Sequence, residues 1–200
     1  MNKILEQADF DYLSSDYPSL IDESEAAILR VTLIISQLRN LESNNGESEL
    51  ELVNLRSLVK QGVNQALEAF PDRSNDNTQI LIQLPDSLFV RVKSRLAIDA
   101  ISGVVNNALQ AVPPENKALI NIQSEQEGSK LKLTIEDNGI GIETKDINNI
   151  FDPFFTTREI GAGTGLGLFK VQTLMKSMNG EIELVRAKPS AQFQFTFRLD

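Results

Sequence analysis

The first fifty residues carry apolar side chains at helical spacing. Two adjacent stripes can be traced: Ile21, Ile28, Val31, Ile35 and Leu38 form one, and Leu20, Ala27, Ile34 and Leu41 form the other. Together they give a wide apolar face, which is typical of a helix inside a bundle. The pattern predicts a helix over residues 20–41 that ends before Asn44-Asn45-Gly46. Two interpretations remain open: a packing helix of a single domain, or an oligomerising hairpin helix.

Beyond residue 50, helical and alternating segments follow one another. Helical periodicity covers residues 55–70, residues 95–112 and a segment that ends at about Met178. Alternation predicts strands over residues 79–84, 88–92, 118–124, 130–136, 181–185 and 192–199. The stretch from Asp137 to about Gly165 is rich in glycine and has no clear period. This order predicts an α+β fold, a two-layer α/β sandwich with helices on one face of a mixed sheet and an N-terminal helical segment.

Net charge differs between the two parts of the chain, and it argues against two classes of binding partner. The net charge of the 200 residues is −9, of which residues 1–50 contribute −7 and residues 51–200 only −2. We therefore divide the chain into a helical segment, residues 1–49, and a second domain, residues 50–200. The negative balance argues against binding to nucleic acid or to an anionic membrane.

Two missing residue types exclude several kinds of chemistry. The chain has neither cysteine nor histidine, which excludes disulfides, thiol catalysis, imidazole bases and a phosphohistidine on this chain. No apolar run approaches the roughly 20 residues that a membrane helix needs, and the N-terminus is not a signal peptide. We therefore expect a cytoplasmic chain without membrane contact.

Two adjacent asparagines, Asn106 and Asn107, lie inside the predicted helix 95–112. Asparagine is a poor helix former because its amide competes for backbone hydrogen bonds. An amide oxygen is a hard, neutral ligand that suits a Mg²⁺ ion already carrying phosphate oxygens. A solvated helix face would explain the same residues.

The sequence EDNGIGI directly follows a predicted strand, at residues 136–142. Asp137 emerges at the end of that strand, and Gly139 and Gly141 permit positive φ angles and close ligand approach. A carboxylate at this point could accept a hydrogen bond from the exocyclic amine of adenine. A simple strand-ending turn is the alternative.

Two further motifs follow in the glycine-rich stretch. Residues 151–158 read FDPFFTTR and contain three of the ten phenylalanines, which favours a lid whose aromatic side chains dock or release, or else a cluster that pins a long loop. Residues 161–168 read GAGTGLGL and open a helix, so their backbone N–H groups would bind phosphate. Neither a P-loop nor a Rossmann motif fits this sequence.

The four motifs, in this order, resemble the catalytic ATP-binding domain of two-component sensor histidine kinases. Asn107 matches the N box of that family, residues 137–142 the G1 box, residues 151–155 the F box and residues 161–168 the G2 box. The resemblance covers about residues 50–200. It implies the Bergerat ATP-binding fold, phosphotransferase activity, and ATP and Mg²⁺ as ligands.

The resemblance also implies residue roles. Asn107 would hold Mg²⁺, Asp137 would recognise adenine, and residues 151–164 would form the ATP lid. The implied nucleotide-binding residues are Asn107, Asp137, Gly139, Gly141, Ile142, Gly161, Gly163, Thr164, Gly165, Leu166 and Gly167, and the implied lid residues are Phe151, Phe154, Phe155 and Arg158.

Three positions depart from the family pattern. Gly103 stands where the N box has its first asparagine and where related gyrase, mismatch-repair and heat-shock ATPases carry a water-activating glutamate, and glycine cannot act as a base. Gln110 is neutral where a second phosphate contact is expected, and we expect Arg158 or Lys170 to compensate. Residues 188–190, Lys-Pro-Ser, replace the usual glycine pair of the closing hairpin.

Residues 11–41 resemble the second helix of a dimerisation and phosphoacceptor hairpin whose histidine-bearing first helix is absent. We therefore expect a kinase domain that transfers the γ-phosphoryl group of Mg-ATP to a histidine, either on a missing segment in cis or on a partner in trans. A response regulator would act downstream, and helix 20–41 would form a homodimer. The alternatives are a non-transferring ATP sensor or scaffold that dimerises with a true kinase, and a hydrolytic ATPase, which Gly103 disfavours.

Overall fold

A computed structural model describes residue Ile28 and residues 50–73, 77–158 and 163–199 of the chain. The chain divides into two units, Met1–Ser48 and Glu49–Asp200. Apart from Ile28, which has a helical backbone, the predicted helix over residues 20–41 lies outside the described residues. Its assignment to a hairpin stays a prediction, and so does the domain division at residue 50.

Strands and helices fill most of the described second unit. The strands are β1 (Glu51–Asn54), β2 (Thr78–Gln83), β3 (Phe89–Val92), β4 (Ala118–Glu127), β5 (Lys130–Glu136), β6 (Glu181–Arg186) and β7 (Gln192–Arg198). The α-helices are α1 (Leu55–Glu68), α2 (Ser94–Ala111) and α3 (Gly167–Ser177), and Pro71–Arg73 forms a short 3-10 helix. Each helix and strand that periodicity predicted in this unit is present close to its expected ends.

The main sheet has five strands in the order β2-β4-β5-β7-β6. Strand β2 is parallel to β4, with Ile80 opposite Ile120, whereas the other neighbours are antiparallel. The tight turn between β4 and β5 passes through Gly128, whose φ of 59° suits glycine. The sheet is therefore mixed, as the sequence predicts.

The helices of the described unit lie on one face of this sheet. Alternate residues of β5 and β7, among them Leu133 and Phe195, are fully buried and face the helices, where Val105 is also fully buried. The opposite face carries polar side chains such as Gln123, Thr134 and Gln194, which lie side by side on neighbouring strands. This arrangement confirms the predicted α+β, two-layer sandwich.

Strands β1 and β3 form a separate two-stranded antiparallel sheet in which Val53 lies opposite Val90. The sequence did not predict β1, because it is only four residues long and runs directly into α1. The Asn54 side chain caps that helix by accepting a hydrogen bond from the Ser57 N–H at 3.0 Å.

Glycines allow the three helices to approach one another closely. A Cβ atom added at Gly62 of α1 would lie 2.7 Å from Ile101 Cγ2 on α2. A Cβ atom at Gly103 of α2 would lie 2.6 Å from Val171 Cγ2 on α3. Both distances are shorter than a carbon–carbon contact allows. The contact of α2 with α1 therefore depends on Gly62 of α1, and the contact of α2 with α3 depends on Gly103 of α2. Over the ranges that the structure describes, no helix is both long and apolar enough to cross a bilayer.

Candidate functional site

A cleft of about 850 Å³ lies between α2, the start of α3 and the loops that follow β5. Segments that are distant in the sequence meet there. Among the predicted residues on its wall are Asn107, Gly141, Ile142, Phe155, Arg158, Gly163, Thr164, Gly165 and Gly167. The four motifs therefore contribute to one cleft.

Other predicted residues lie beside the cleft without lining its wall. These are Asp137, Gly139, Phe151, Phe154 and Leu166, while Gly161 lies outside the described residues. The wall also includes Asp99 and Lys188, which the sequence analysis did not place in the site. Asp99 precedes Gly103 by one helical turn and Asn107 by two, so helical spacing could have found it. Lys188 comes from a distant hairpin turn and carried no such signal.

Asp137 is the most deeply buried charged side chain near the cleft. It follows β5, is only 4% exposed, and accepts a hydrogen bond from the Gly139 N–H at 2.8 Å. Burial raises the pKa of Asp137 to about 6, although the backbone N–H groups of Gly139 and Ala191 oppose the shift. At neutral pH the group is ionised and able to accept a hydrogen bond from an amine.

The loop after Asp137 is packed against the protein's own backbone. A Cβ atom at Gly139 would lie 2.7 Å from the Ala111 carbonyl oxygen, and one at Gly141 would lie 2.5 Å from the Ala187 carbonyl oxygen. The Ile142 N–H also donates to the Ala187 carbonyl at 2.8 Å. Close approach does require these glycines, but the approaching groups belong to α2 and to the β6–β7 turn.

Lys188 ties the β6–β7 turn to the same loop. Its Nζ donates to the Ile140 carbonyl at 3.0 Å and pairs with Glu143 Oε1 at 2.7 Å. This contact lowers the pKa of the Glu143 carboxyl. Lys188, which is part of the Lys-Pro-Ser sequence that replaces the glycine pair, thus stabilises the cleft wall through its contacts with Ile140 and Glu143.

The donors available for a metal ion on α2 are amide oxygens. Asn106 and Asn107 both line the cleft, and the buried Oδ1 of Asn106 has no hydrogen-bond partner in the described part of the chain. Within that part, no group of three or more acidic, His or Cys side chains could form a metal cage. These residues fit a Mg²⁺ ion whose remaining ligands are phosphate and water oxygens.

The two ends of the lid segment are joined at its base. The Phe154 N–H donates to the Gly165 carbonyl at 3.0 Å. Both residues have positive φ angles, 70° for Phe154 and 63° for Gly165, and a Cβ atom at Gly165 would overlap the Phe154 carbonyl carbon at 2.3 Å. Just before this point, the Phe151 ring packs edge-on against Phe193, with ring centroids 6.3 Å apart. Residues 151–154 therefore anchor the lid to the sheet.

Arg158 extends from the lid to α2. Its Nη1 donates a hydrogen bond to Gln110 Oε1, and burial lowers the pKa of its guanidinium group. The carboxylates on the cleft wall belong to Asp99, Glu143 and Asp146. Of these, Asp99 accepts from Gln65 Nε2 at 2.9 Å and lies 3.9 Å from Lys170 Nζ.

Comparison with known proteins identifies a family. Residues 92–200, more than half of the chain, match the family described as histidine kinase-, DNA gyrase B- and HSP90-like ATPase. The chain is 29% identical over 162 residues to the sensor kinase CckA of Brucella abortus, covering 78% of this chain and 17% of CckA. It is 30% identical over 206 residues to the signal transduction histidine-protein kinase AtoS of Escherichia coli, covering 98% of this chain and 31% of AtoS. The chain therefore spans less than a third of these relatives.

Solved structures show the same fold. The catalytic domain of the histidine kinase ThkA superposes with a TM-score of 0.64 at 24% identity, covering 76% of this chain and 96% of that domain. A second ThkA structure, in complex with the response regulator protein TrrA, has a TM-score of 0.61 at 18% identity and covers 86% of this chain and 48% of ThkA.

The matched region contains α2, the glycine-rich loops and α3, which are the elements that build the cleft. The relatives confirm the resemblance to sensor histidine kinases. The chain belongs to the family of histidine kinase-, DNA gyrase B- and HSP90-like ATPases, as an ATP-binding domain of two-component sensor histidine kinases.

Proposed function

We propose that this chain is the kinase part of a sensor histidine kinase and that it transfers the γ-phosphoryl group of Mg-ATP to a histidine on another polypeptide segment. The supporting observation is the single cleft that joins the two asparagines of α2, the loop after Asp137, the lid and the start of α3. The sequence itself has no histidine. The acceptor would therefore lie on a further segment of the same protein or on a partner. The ThkA complex supports a response regulator as the next partner.

The two ends of the nucleotide would be held by different groups. Asp137 would accept a hydrogen bond from the exocyclic amine of adenine. The phosphates would meet the start of α3, whose N-cap residue Leu166 makes no side-chain cap and whose first turn has no acidic residue. The N–H groups of that turn, with the positive end of the helix dipole, are therefore available to an anion.

Magnesium would be held by Asn107, with the orphaned Asn106 oxygen beside it. A bound Mg²⁺ ion would supply charge neutralisation on the phosphates. The protein's own contribution is to orient the nucleotide, and phosphoryl transfer asks little covalent chemistry of side chains.

Hydrolysis of ATP is disfavoured by the packing of α2. A water-activating carboxylate at position 103 would need space, yet even a Cβ atom there would lie 2.6 Å from Val171 Cγ2. Two of the carboxylates on the wall, Asp99 and Glu143, are within 4 Å of lysines. The cleft therefore suits transfer better than hydrolysis.

Labelled ATP provides the test. The chain is incubated with ATP, Mg²⁺ and a separate histidine-bearing hairpin of a sensor histidine kinase. We expect acid-labile, base-stable label on the hairpin alone and slow release of phosphate without it. In the Asn107→Ala variant, labelling should fall together with the Mg²⁺-dependent gain in ADP affinity, while metal-free ADP binding persists.

Two outcomes would contradict this proposal. Rapid phosphate release in the absence of any acceptor would favour a hydrolytic ATPase. Normal ATP binding without labelling of a panel of hairpins, including those of close relatives, would favour the ATP sensor or scaffold.

A further inference from the structure

A side-chain contact connects the lid to helix α2 across the cleft. Arg158 Nη1 donates to Gln110 Oε1, and both residues line the cleft. A guanidinium group has only donors, so Gln110 presents its amide oxygen to Arg158. Gln110 lies one helical turn after Asn107, and the two side chains therefore share a face of α2.

The lid fixes the other end of the Arg158 side chain. The Arg158 N–H donates to Thr156 Oγ1 at 3.2 Å. On the returning part of the lid, a Cβ atom at Gly163 would lie 3.3 Å from Thr156 Oγ1 and 3.4 Å from Arg158 Cδ. The stem of Arg158 thus lies against Gly163 of the returning part of the lid, and the tip of the side chain reaches α2.

Arg158 differs from the other cations in the cleft in that its charge is not paired with a carboxylate of the described residues. On the described part of the wall the cations are Arg158, Lys170 and Lys188. Lys188 forms an ion pair with Glu143 at 2.7 Å, and Lys170 lies 3.9 Å from Asp99. Arg158 contacts a neutral amide and has no ion pair with any residue that the structure describes. Its positive charge is therefore left available to an anion in the cleft.

We propose that Gln110 is a positioning residue, which holds the Arg158 guanidinium over the cleft so that it meets the phosphate chain of the nucleotide. This inference rests on the proposed function, because it requires a phosphate-bearing ligand. A neutral amide suits this role: a lysine at position 110 would repel Arg158, and a glutamate would neutralise it. Gln110 acts through Arg158, which is the group that contacts phosphate.

The test compares ligands with and without phosphate. Calorimetry with ATP, ADP and adenosine in excess Mg²⁺ is applied to the wild-type chain, to Gln110→Met, to Arg158→Met and to the double variant. Gln123→Met, on the exposed polar face of β4, is the matched control. Methionine has about the length of glutamine but cannot make its hydrogen bonds, and in place of Arg158 it keeps part of the apolar stem while removing the charge.

Arg158→Met should weaken ATP and ADP binding by about 10-fold or more, because a charged contact is lost. Gln110→Met should weaken both by about 2- to 10-fold, because Arg158 keeps its charge but must then be ordered when the nucleotide binds. Adenosine binding should not change in either variant. The double variant should lose no more affinity than Arg158→Met alone, because Gln110 acts only through the arginine.

Three results would overturn the positioning role. One is an equal loss for adenosine, ADP and ATP, which would make Gln110 structural. Another is additive losses in the double variant, which would mean that Gln110 contacts the nucleotide directly. The third is a Gln110→Met variant that binds all three ligands like the Gln123→Met control. A wild-type chain that binds none of the three ligands would instead refute the proposed function itself.

Discussion

At the scale of single residues, the buried carboxylate of Asp137 opposes folding while it serves binding. A carboxylate that is only 4% exposed pays a desolvation cost, and its pKa is raised to about 6. The same isolation makes a hydrogen bond from a ligand amine stronger than it would be in water. We infer that the free domain tolerates this charge for the sake of nucleotide recognition.

Replacing Asp137 with asparagine should therefore raise stability and lower affinity. The folded pKa of about 6 exceeds the ordinary 3.8, so the folded state keeps the proton longer and the free energy of unfolding falls as pH rises from about 4 to about 6. The difference corresponds to about 3 kcal/mol. Asp137→Asn should remove that fall, whereas ADP affinity should drop by about 10- to 150-fold.

Urea unfolding at several pH values between 4 and 7, for both proteins, measures the first effect, and calorimetry measures the second. Because other carboxylates titrate in both proteins, the quantity of interest is the difference between the two stability curves. A difference that stays constant from pH 4 to pH 7 would refute the assigned pKa, and unchanged ADP binding would refute the role in adenine recognition.

At the scale of helices, the structure explains why position 103 is a glycine, which the sequence alone did not. In comparison with the family pattern, Gly103 replaces the first asparagine of the N box. In the fold, it is the point where α2 and α3 touch, since a Cβ atom would lie 2.6 Å from Val171 Cγ2. The glycine at position 103 therefore has two consequences: it leaves no side chain that could act as a base, and it permits α2 and α3 to pack closely.

Gly103→Asn should destabilise the domain by about 1–3 kcal/mol, the usual cost of overpacking, even though asparagine is no worse a helix former than glycine. Val171→Ala should also destabilise the wild-type domain, because Val171 is buried. In the Gly103→Asn background, however, the same change should restore stability, because it removes the clash. Thermal or urea unfolding of the four proteins measures this coupling, and simply additive effects would contradict it.

Periodicity and local motifs were sufficient for much of the fold, because α1, α2, β5 and β7 each bury one clear apolar face. They failed for β1, whose Leu52 is exposed and whose partner β3 is more than thirty residues away. The local motifs likewise predicted the loops of the cleft. They could not predict the contacts of Lys188, because its partners Ile140 and Glu143 lie more than forty residues away in the sequence and come close to it only in the folded domain.

At the scale of the whole chain, charge and chemistry are unevenly divided. Residues 1–50 account for −7 of the net charge of −9, whereas the cleft wall that the structure describes is formed by residues beyond position 60. A change in the apolar stripes of the N-terminal segment should therefore affect partner choice without altering the nucleotide site.

Replacing Ile28, Ile35 and Leu38 together with serine should abolish labelling of a separate histidine-bearing hairpin, because the predicted apolar face would be lost. ADP affinity should stay at the wild-type value. A control with serine at the polar positions Thr32, Gln37 and Asn40 should still label the hairpin. Labelling assays and calorimetry on the same preparations measure the two effects. Loss of both hairpin labelling and ADP binding would mean that the N-terminal segment stabilises the nucleotide domain itself.

The backbone tie between Phe154 and Gly165 sets how freely the lid can vary in size. Because the Phe154 N–H and the Gly165 carbonyl already bring the two ends together, added residues between them need not disturb the sheet or α3. The entropy of closing a loop grows slowly, by about 0.6 kcal/mol for each doubling of its length. Insertions are therefore tolerated within this segment far better than at its ends, and a reporter peptide or a longer natural lid could be accommodated there while the domain beneath keeps its shape.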